Sequence, residues 1–481
     1  MMDRRRFLGG TAGCLSGAAG LVSPALVRAQ TVQLRAGSDL IRTAQLGGDV
    51  GYLVADLRSG LVLEEHNARK ALPPASTAKA ITSLYALEAL GAGYRFVTRV
   101  IATGPISGGV LQGDLILAGG ADATLSTDDL GAMAARLAAT GLRRITGRFQ
   151  VWGGAIPYAE EIATDQPIHV GYNPAISGMI LNYNRVHFEW RRAGNGYELG
   201  MDARGESHRP RAYTASAALA NRRDPLFTYR QQGGKEQWTV AAARLGKGGS
   251  RWLPVRQPEL YAGDVFQTLA RAQGVDLPAP QPVRNLAGGT VLVSHASEAL
   301  PGILRDMMKY STNLTAEAVG MTASAARGAN PALGRSGAAM SDWLAARAGI
   351  RGAKFVDHSG LNVQTRVSAA DMVHALRVVG APMGLRGLMK GFSLRDDQGR
   401  TIKNHPIRVD AKTGTLNFVS TLAGYLTARD GTELVFAIFT GDVARRARAK
   451  NAEAPEGAGE WVKRSKILQS RLVERWGLLY G

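Results

Sequence analysis

The chain has 481 residues, of which 45% are hydrophobic and 20% charged. That length supports a large core built in two or three parts, and the composition excludes collagen-like and disordered classes. A formal net charge of +19 favours anionic surroundings such as a cell envelope, and no nucleic-acid-binding module accompanies it.

The first 29 residues read as an export leader. Arg4, Arg5 and Arg6 precede a Gly/Ala-rich apolar stretch, and Val27-Arg28-Ala29 presents a small-residue cleavage site. Arg4-Arg5-Arg6-Phe7-Leu8 is similar to a twin-arginine signal. Two alternatives stay open: an uncleaved anchor over 7–27, and lipidation at Cys14, the one cysteine of the chain. Cleavage after Ala29 leaves no cysteine, and with it no disulfide, thiolate metal site or thiol redox step. The expected location is periplasmic, with no stable membrane anchor.

Residues 51–68 predict a hairpin around Arg58-Ser59-Gly60. A helix follows Pro73-Pro74, with apolar residues at Ile81, Leu84, Leu87 and Leu90 and a stop at Gly91. From about 97 to 280 the texture is short alternating strands and glycine turns, with one helix starting near Ser126 and another over "ELYAGDVFQTLARAQGV". Long helices resume near 295, the segment 408–442 is strand-rich, and "EWVKRSKILQSRLVERWG" is the last helix. The simplest organisation is a helix-and-sheet part interrupted by a large, mostly β insert.

Three short motifs carry chemistry. Ser76-Thr77-Ala78-Lys79 opens the first long helix. A serine hydroxyl needs an adjacent base to become a nucleophile, and a three-residue helical step brings Lys79 back over Ser76. Lysine serves as that base only when desolvation or a nearby cation lowers its pKa. Ser311-Thr312-Asn313 offers a second serine to pass a proton to a leaving amine, and an amide to hold a substrate or Lys79. Lys412-Thr413-Gly414 opens a strand. There Lys412 supplies a second cation that helps depress Lys79, Thr413 and Thr415 can bind a carboxylate, and Gly414 clears room for a peptide. Taken singly, a helix N-cap at Ser76, a helix-start hydrogen bond at Asn313 and a solvated strand end at Lys412 explain each motif as well. All three in this order arise by chance in roughly one chain of this composition in a hundred.

With the flanks "PPASTAKAITSLYALEALG", "GDLILAGGADATLSTDDL", "YSTNLTAE", "VDHSGLN" and "AKTGTLNFVSTLAGY", the chain resembles the D-alanyl-D-alanine carboxypeptidase/endopeptidase family, the class C low-molecular-mass penicillin-binding proteins. The resemblance spans nearly all of 45–445, and the long step from Ser76 to Ser311 fits the extra domains that family carries there. It implies an α+β fold: a penicillin-binding-protein/β-lactamase-like transpeptidase-type domain, helices around an antiparallel sheet, over 30–96 plus 282–481. The mostly β insert would form a second domain over 97–171 plus 256–281 and a nested third over 172–255. It implies hydrolysis of D-Ala-D-Ala or D-Ala-diaminopimelate bonds in peptidoglycan stem peptides through an acyl-enzyme at Ser76. Lys79, Ser311, Asn313 and Lys412 would be the other catalytic residues, Thr413, Gly414 and Thr415 the substrate-binding ones, and β-lactams the inhibitors. No metal or cofactor is implied, and the eight histidines show no paired ligand spacing. The oligomeric state is not readable from the sequence.

Four positions depart from the family pattern. Thr312 stands where Asp is frequent, and Asp357-His358-Ser359-Gly360-Leu361-Asn362 replaces Asp-Gly-Ser-Gly-Leu-Ser. "FSLRDDQGR" replaces a Gly-Thr-Leu loop, and "VWGGAIPYAEE" lacks an acidic residue expected near Gly153. Competing readings are a β-lactamase or esterase on the same scaffold, and a wall-binding protein that acylates without turnover.

Overall fold

A computed structural model of the protein describes residues 35–481. The leader, with its cleavage, anchor and lipidation alternatives, lies outside the described residues. Gly37–Gly481 forms one compact unit.

Its centre is a six-stranded antiparallel sheet in the order Lys390–Gly391, Arg408–Leu416, Val419–Thr427, Glu433–Gly441, Asp49–Asp56, Val62–His66. The last two strands are the hairpin expected over 51–68. Both faces of the sheet are covered, so its central strands read as unbroken apolar runs rather than alternating ones. In Glu433–Gly441, Val435, Ala437 and Phe439 face one core, and Leu434, Phe436 and Ile438 face the other. The first core is made with helices Ala78–Leu90, Leu300–Tyr310, Asn313–Ala326, Leu333–Ala348 and Ala369–Ala375. The second is closed by Gly37–Ala44 and the C-terminal helix Ala458–Leu479, where Trp461 and Trp476 are fully buried.

The intervening chain builds a five-stranded mixed sheet and smaller three-stranded ones. Helix Thr127–Ala139 packs on Pro258–Ala272 beside the larger sheet. The first of these helices starts where the sequence places it. Ser126 accepts from the Asp129 N–H, and Asp129 accepts from the Ser126 N–H, so two orphan donors are satisfied. Thr290–Ala296 lies within the segment assigned to the peptidase domain, yet it pairs with Val97–Ala102 at the edge of the five-stranded sheet. The insert's sheet therefore reaches past residue 282.

Candidate active site

Three elements converge at one end of the central sheet. A single 3-10 turn, Ala75–Thr77, feeds helix Ala78–Leu90 and holds Ser76 at its mouth. Ala75 sits at φ +45°, in the left-handed region that non-glycine residues seldom adopt. Neither Ser76 nor Thr77 caps the helix with its side chain. The Ser76 Oγ instead accepts from Lys79 Nζ at 2.9 Å, which displaces the N-cap alternative.

Lys79 is fully buried. Its ammonium also donates to Asn313 Oδ1 at 2.8 Å and to the Ser359 carbonyl at 2.9 Å. Burial depresses its pKa to about 7, against the opposing charges of Glu317 and Asp357. Half of the lysine is thus neutral near pH 7, as a base requires. Lys412 is not a solvated strand end. It is 2% exposed, it lies at the middle of strand Arg408–Leu416 rather than at its opening, and its Nζ donates to Ser311 Oγ at 2.9 Å and to the Thr413 carbonyl at 2.7 Å. Burial, then the charges of Lys79 and Lys390, hold its pKa well below the ordinary lysine range. At Lys79 burial is the leading cause, and the repulsion between Lys79 and Lys412 disfavours charging both at once.

Ser311 and Asn313 are placed by a break between two helices. Leu300–Tyr310 ends at Ser311, whose φ of +61° turns the chain before Asn313–Ala326 begins. This swings Ser311 Oγ to Lys412 and Asn313 to Lys79. The Asn313 amide nitrogen donates to the Tyr172 carbonyl at 3.0 Å, so no helix-start role is left for it. Gly414 is required by packing. A Cβ there would run into Thr421 Oγ1 and stand 2.8 Å from Ser76 N and 2.9 Å from Ala75 Cβ. Its absence lets Thr421 Oγ1 reach the Pro74 carbonyl at 2.7 Å and lock the strand against the Ser76 turn. Thr413 and Thr415 are exposed along this strand edge.

Several contributors lie outside the candidate residues read from the sequence. The Ser359 carbonyl is one, within the 357–362 stretch. The buried Glu317 is another: it accepts from the His358 and Ser359 N–H groups at 2.9 and 2.8 Å, and burial raises its pKa to about 8. It fixes the segment 357–362 that supplies the carbonyl. Its signal was a glutamate one helical turn after Asn313 in an otherwise apolar helix. Asp357 accepts from Asn362 N at 2.8 Å and Thr365 Oγ1 at 2.5 Å, closing that segment on itself. His358, the substituted position, is a buried neutral ring beside Ser336 Oγ at 2.7 Å, and burial lowers its pKa to about 3.

Ser76, Ser311, Asn313 and Thr415 line a cleft of about 500 Å³ together with Tyr172 and Glu453. Glu453 is the carboxylate there, paired with His169 at 2.9 Å and with Arg251.

A two-sided antiparallel sheet with this serine, its buried lysine and a second lysine–serine pair is a serine enzyme of the penicillin-binding-protein/β-lactamase-like fold. Within that class the chain belongs to the D-Ala-D-Ala carboxypeptidase 3 (S13) family, which it matches over residues 37–458, and it is a serine-type D-Ala-D-Ala carboxypeptidase. It is 28% identical over 500 residues to a D-alanyl-D-alanine carboxypeptidase from an Actinomadura species, covering 91% of this chain and 89% of that one. It is 24% identical over 438 residues to the D-alanyl-D-alanine carboxypeptidase DacB of Haemophilus influenzae, covering 85% and 90%. Among solved structures, penicillin binding protein 4 from Haemophilus influenzae superposes with a TM-score of 0.71 at 21% identity, over 91% of this chain and 99% of that one.

Proposed function

We propose that the protein hydrolyses the bond after a D-alanine in peptidoglycan stem peptides, terminal or cross-linked, through an acyl-enzyme at Ser76. The observation that carries this reading is the buried Lys79 amine, with a pKa near 7, held 2.9 Å from Ser76 Oγ. Lys79 takes the proton as Oγ bonds to the substrate carbonyl carbon. The N–H groups of Ser76 and Thr415 hold the resulting oxyanion, and such donors are worth about 2.7–4 kcal/mol each. The carbon–nitrogen bond then breaks, and Ser311, backed by Lys412 at 2.9 Å, passes a proton to the departing amine. Asn313 keeps Lys79 in place, and Thr413 and Thr415 bind the leaving group's carboxylate beside Gly414. Water attacks the acyl-enzyme and restores Ser76.

β-Lactams acylate the same serine in this scheme. The similarity of the fold to penicillin binding protein 4, also solved in complex with a β-lactam, supports that step. The twin-arginine-like leader and the wall substrate support a periplasmic site of action. We keep the division into a peptidase domain, an inserted second domain and a nested third, with the return crossing moved beyond Ala296 because that residue still pairs in the insert's sheet.

Fluorescent-penicillin labelling of the wild type beside Ser76→Ala tests the reading. A band lost in the variant, with D-alanine released from a stem pentapeptide by the wild type alone, is the expected result. Labelling that survives in Ser76→Ala, or none in folded wild type, overturns it.

A further inference from the structure

A second cavity, of about 370 Å³, opens on the other flank of the Thr413–Gly414 strand. Lys390, Arg395, Lys466 and Lys309 line it, and no carboxylate does. Two of these cations come from the stretch 390–400, which includes the "FSLRDDQGR" segment that departs from the family pattern. Its acids are spent elsewhere: Asp396 pairs with Arg400 and Asp397 with Arg471, each at 2.8 Å. Lys466 projects from the C-terminal helix, is half-buried, and makes no ion pair among the described residues. Burial and the nearby Arg395 charge lower its pKa. Such convergence of like charges is unfavourable when the cavity is empty and is relieved by an anion.

The cavity's position gives it a side. Ser76 and Ser311 open into the larger cleft, which in the proposed mechanism takes the acyl part of the substrate. The leaving amine departs towards Ser311, Lys412 and Thr413, and Thr413 is shared with the cationic cavity. A single D-alanine carries one carboxylate, already met by Thr413 and Thr415, and the cavity is far larger than one alanine. A leaving peptide with further carboxylates would fill it.

We propose that this cavity is the leaving-side subsite for the carboxylate-bearing second stem of a cross-link, and that Lys466 is a specificity-determining residue for it. This rests on the serine-peptidase reading above. In a peptide competition, Lys466→Gln lowers kcat/KM for a cross-linked muropeptide dimer about tenfold through KM, the size of one charge-assisted contact. D-Alanine release from a monomeric pentapeptide and penicillin acylation stay at wild-type rates, which also shows that the variant folds, and Lys466→Arg restores the dimer. Calorimetry with a free stem tetrapeptide supplies an arm independent of turnover: wild type binds it, salt weakens binding, and Lys466→Gln binds about tenfold less tightly. Dimer cleavage unchanged in Lys466→Gln, parallel loss on both substrates, or equal tetrapeptide binding by variant and wild type overturns the subsite. Wild type that takes no penicillin label but still binds the tetrapeptide through Lys466 would sink the acyl-enzyme reading while leaving the anion subsite in place.

Discussion

At the scale of single residues, the chemistry turns on where one proton sits. Lys79 is fully buried, and burial outweighs the pull of the Glu317 and Asp357 carboxyls and brings its pKa to about 7. In the proposed mechanism the active form is the neutral amine, so the sign is fixed: acylation should be slow below pH 7 and reach a plateau above it. The second-order rate of penicillin acylation should fall about tenfold per pH unit between roughly pH 6 and 5. Measured from pH 5 to 9 under conditions where the fold is intact, a profile flat through 7 would remove Lys79 as the base. The trio Ser76, Lys79 and Asn313 was legible from spacing because its members are side chains with names. The Ser359 carbonyl was not, since a main-chain acceptor has no residue identity, and its position depends on Glu317 holding its segment from 42 residues away. The positive φ at Ala75 and Ser311 was hidden for a similar reason: neither residue type announces a left-handed turn.

At the scale of elements, the site is a meeting of a turn, a helix junction and a strand, and close approach sets its tolerance. Helix starts were legible where local chemistry decides them, as at the Ser126–Asp129 capping box. The edge strand Thr290–Ala296 was not read from the sequence, because its pairing partner lies almost 200 residues earlier, at Val97–Ala102, and long-range pairing leaves little trace in a short strand's own composition. Gly414 shows the same dependence on a distant surface. It was read as room for substrate, and it is equally room for the Ser76 turn. Gly414→Ala adds a methyl that meets Thr421 Oγ1, Ser76 N and Ala75 Cβ at once. Two of these are backbone-anchored, so relief must come from the strand moving away. Overpacking of this kind costs about 1–3 kcal/mol. The expected result is a lowered melting temperature together with penicillin labelling reduced more than tenfold, because the displaced strand would carry the Thr415 N–H away from the proposed oxyanion site. Normal labelling in Gly414→Ala would mean that the strand and the turn are not in the contact described.

At the scale of the whole molecule, the interposed chain is tied to the peptidase layers instead of hanging from them. Ala121, Ala123, Ile156, Ile162, Ala163, Ile176 and Ile180 belong to the same buried cluster as Leu304, Met307 and the helix that follows Ser76. Polar ties cross at the cleft itself: Tyr172 to Asn313 at 3.0 Å, Asp165 to Arg446 at 3.1 Å, and His169 to Glu453 at 2.9 Å. The insert thus forms one wall of the catalytic cleft and fixes the amide that holds Lys79. Shared burial couples the stability of the two parts, so the described chain should melt in one calorimetric transition. Arg446 offers a way to probe the coupling. It is 7% exposed, and truncating one partner of a buried pair costs about 3–5 kcal/mol; the partial exposure of Asp165 at 19% reduces that to about 2 kcal/mol. Arg446→Ala should shift the single transition downward without splitting it, and should slow acylation as well, since Tyr172 and Asp165 lie in the same segment and Asn313 loses its restraint. Two resolved transitions in the wild type, or an Arg446→Ala protein that melts earlier yet acylates at full rate, would show that the insert folds apart and leaves the site to the peptidase layers alone.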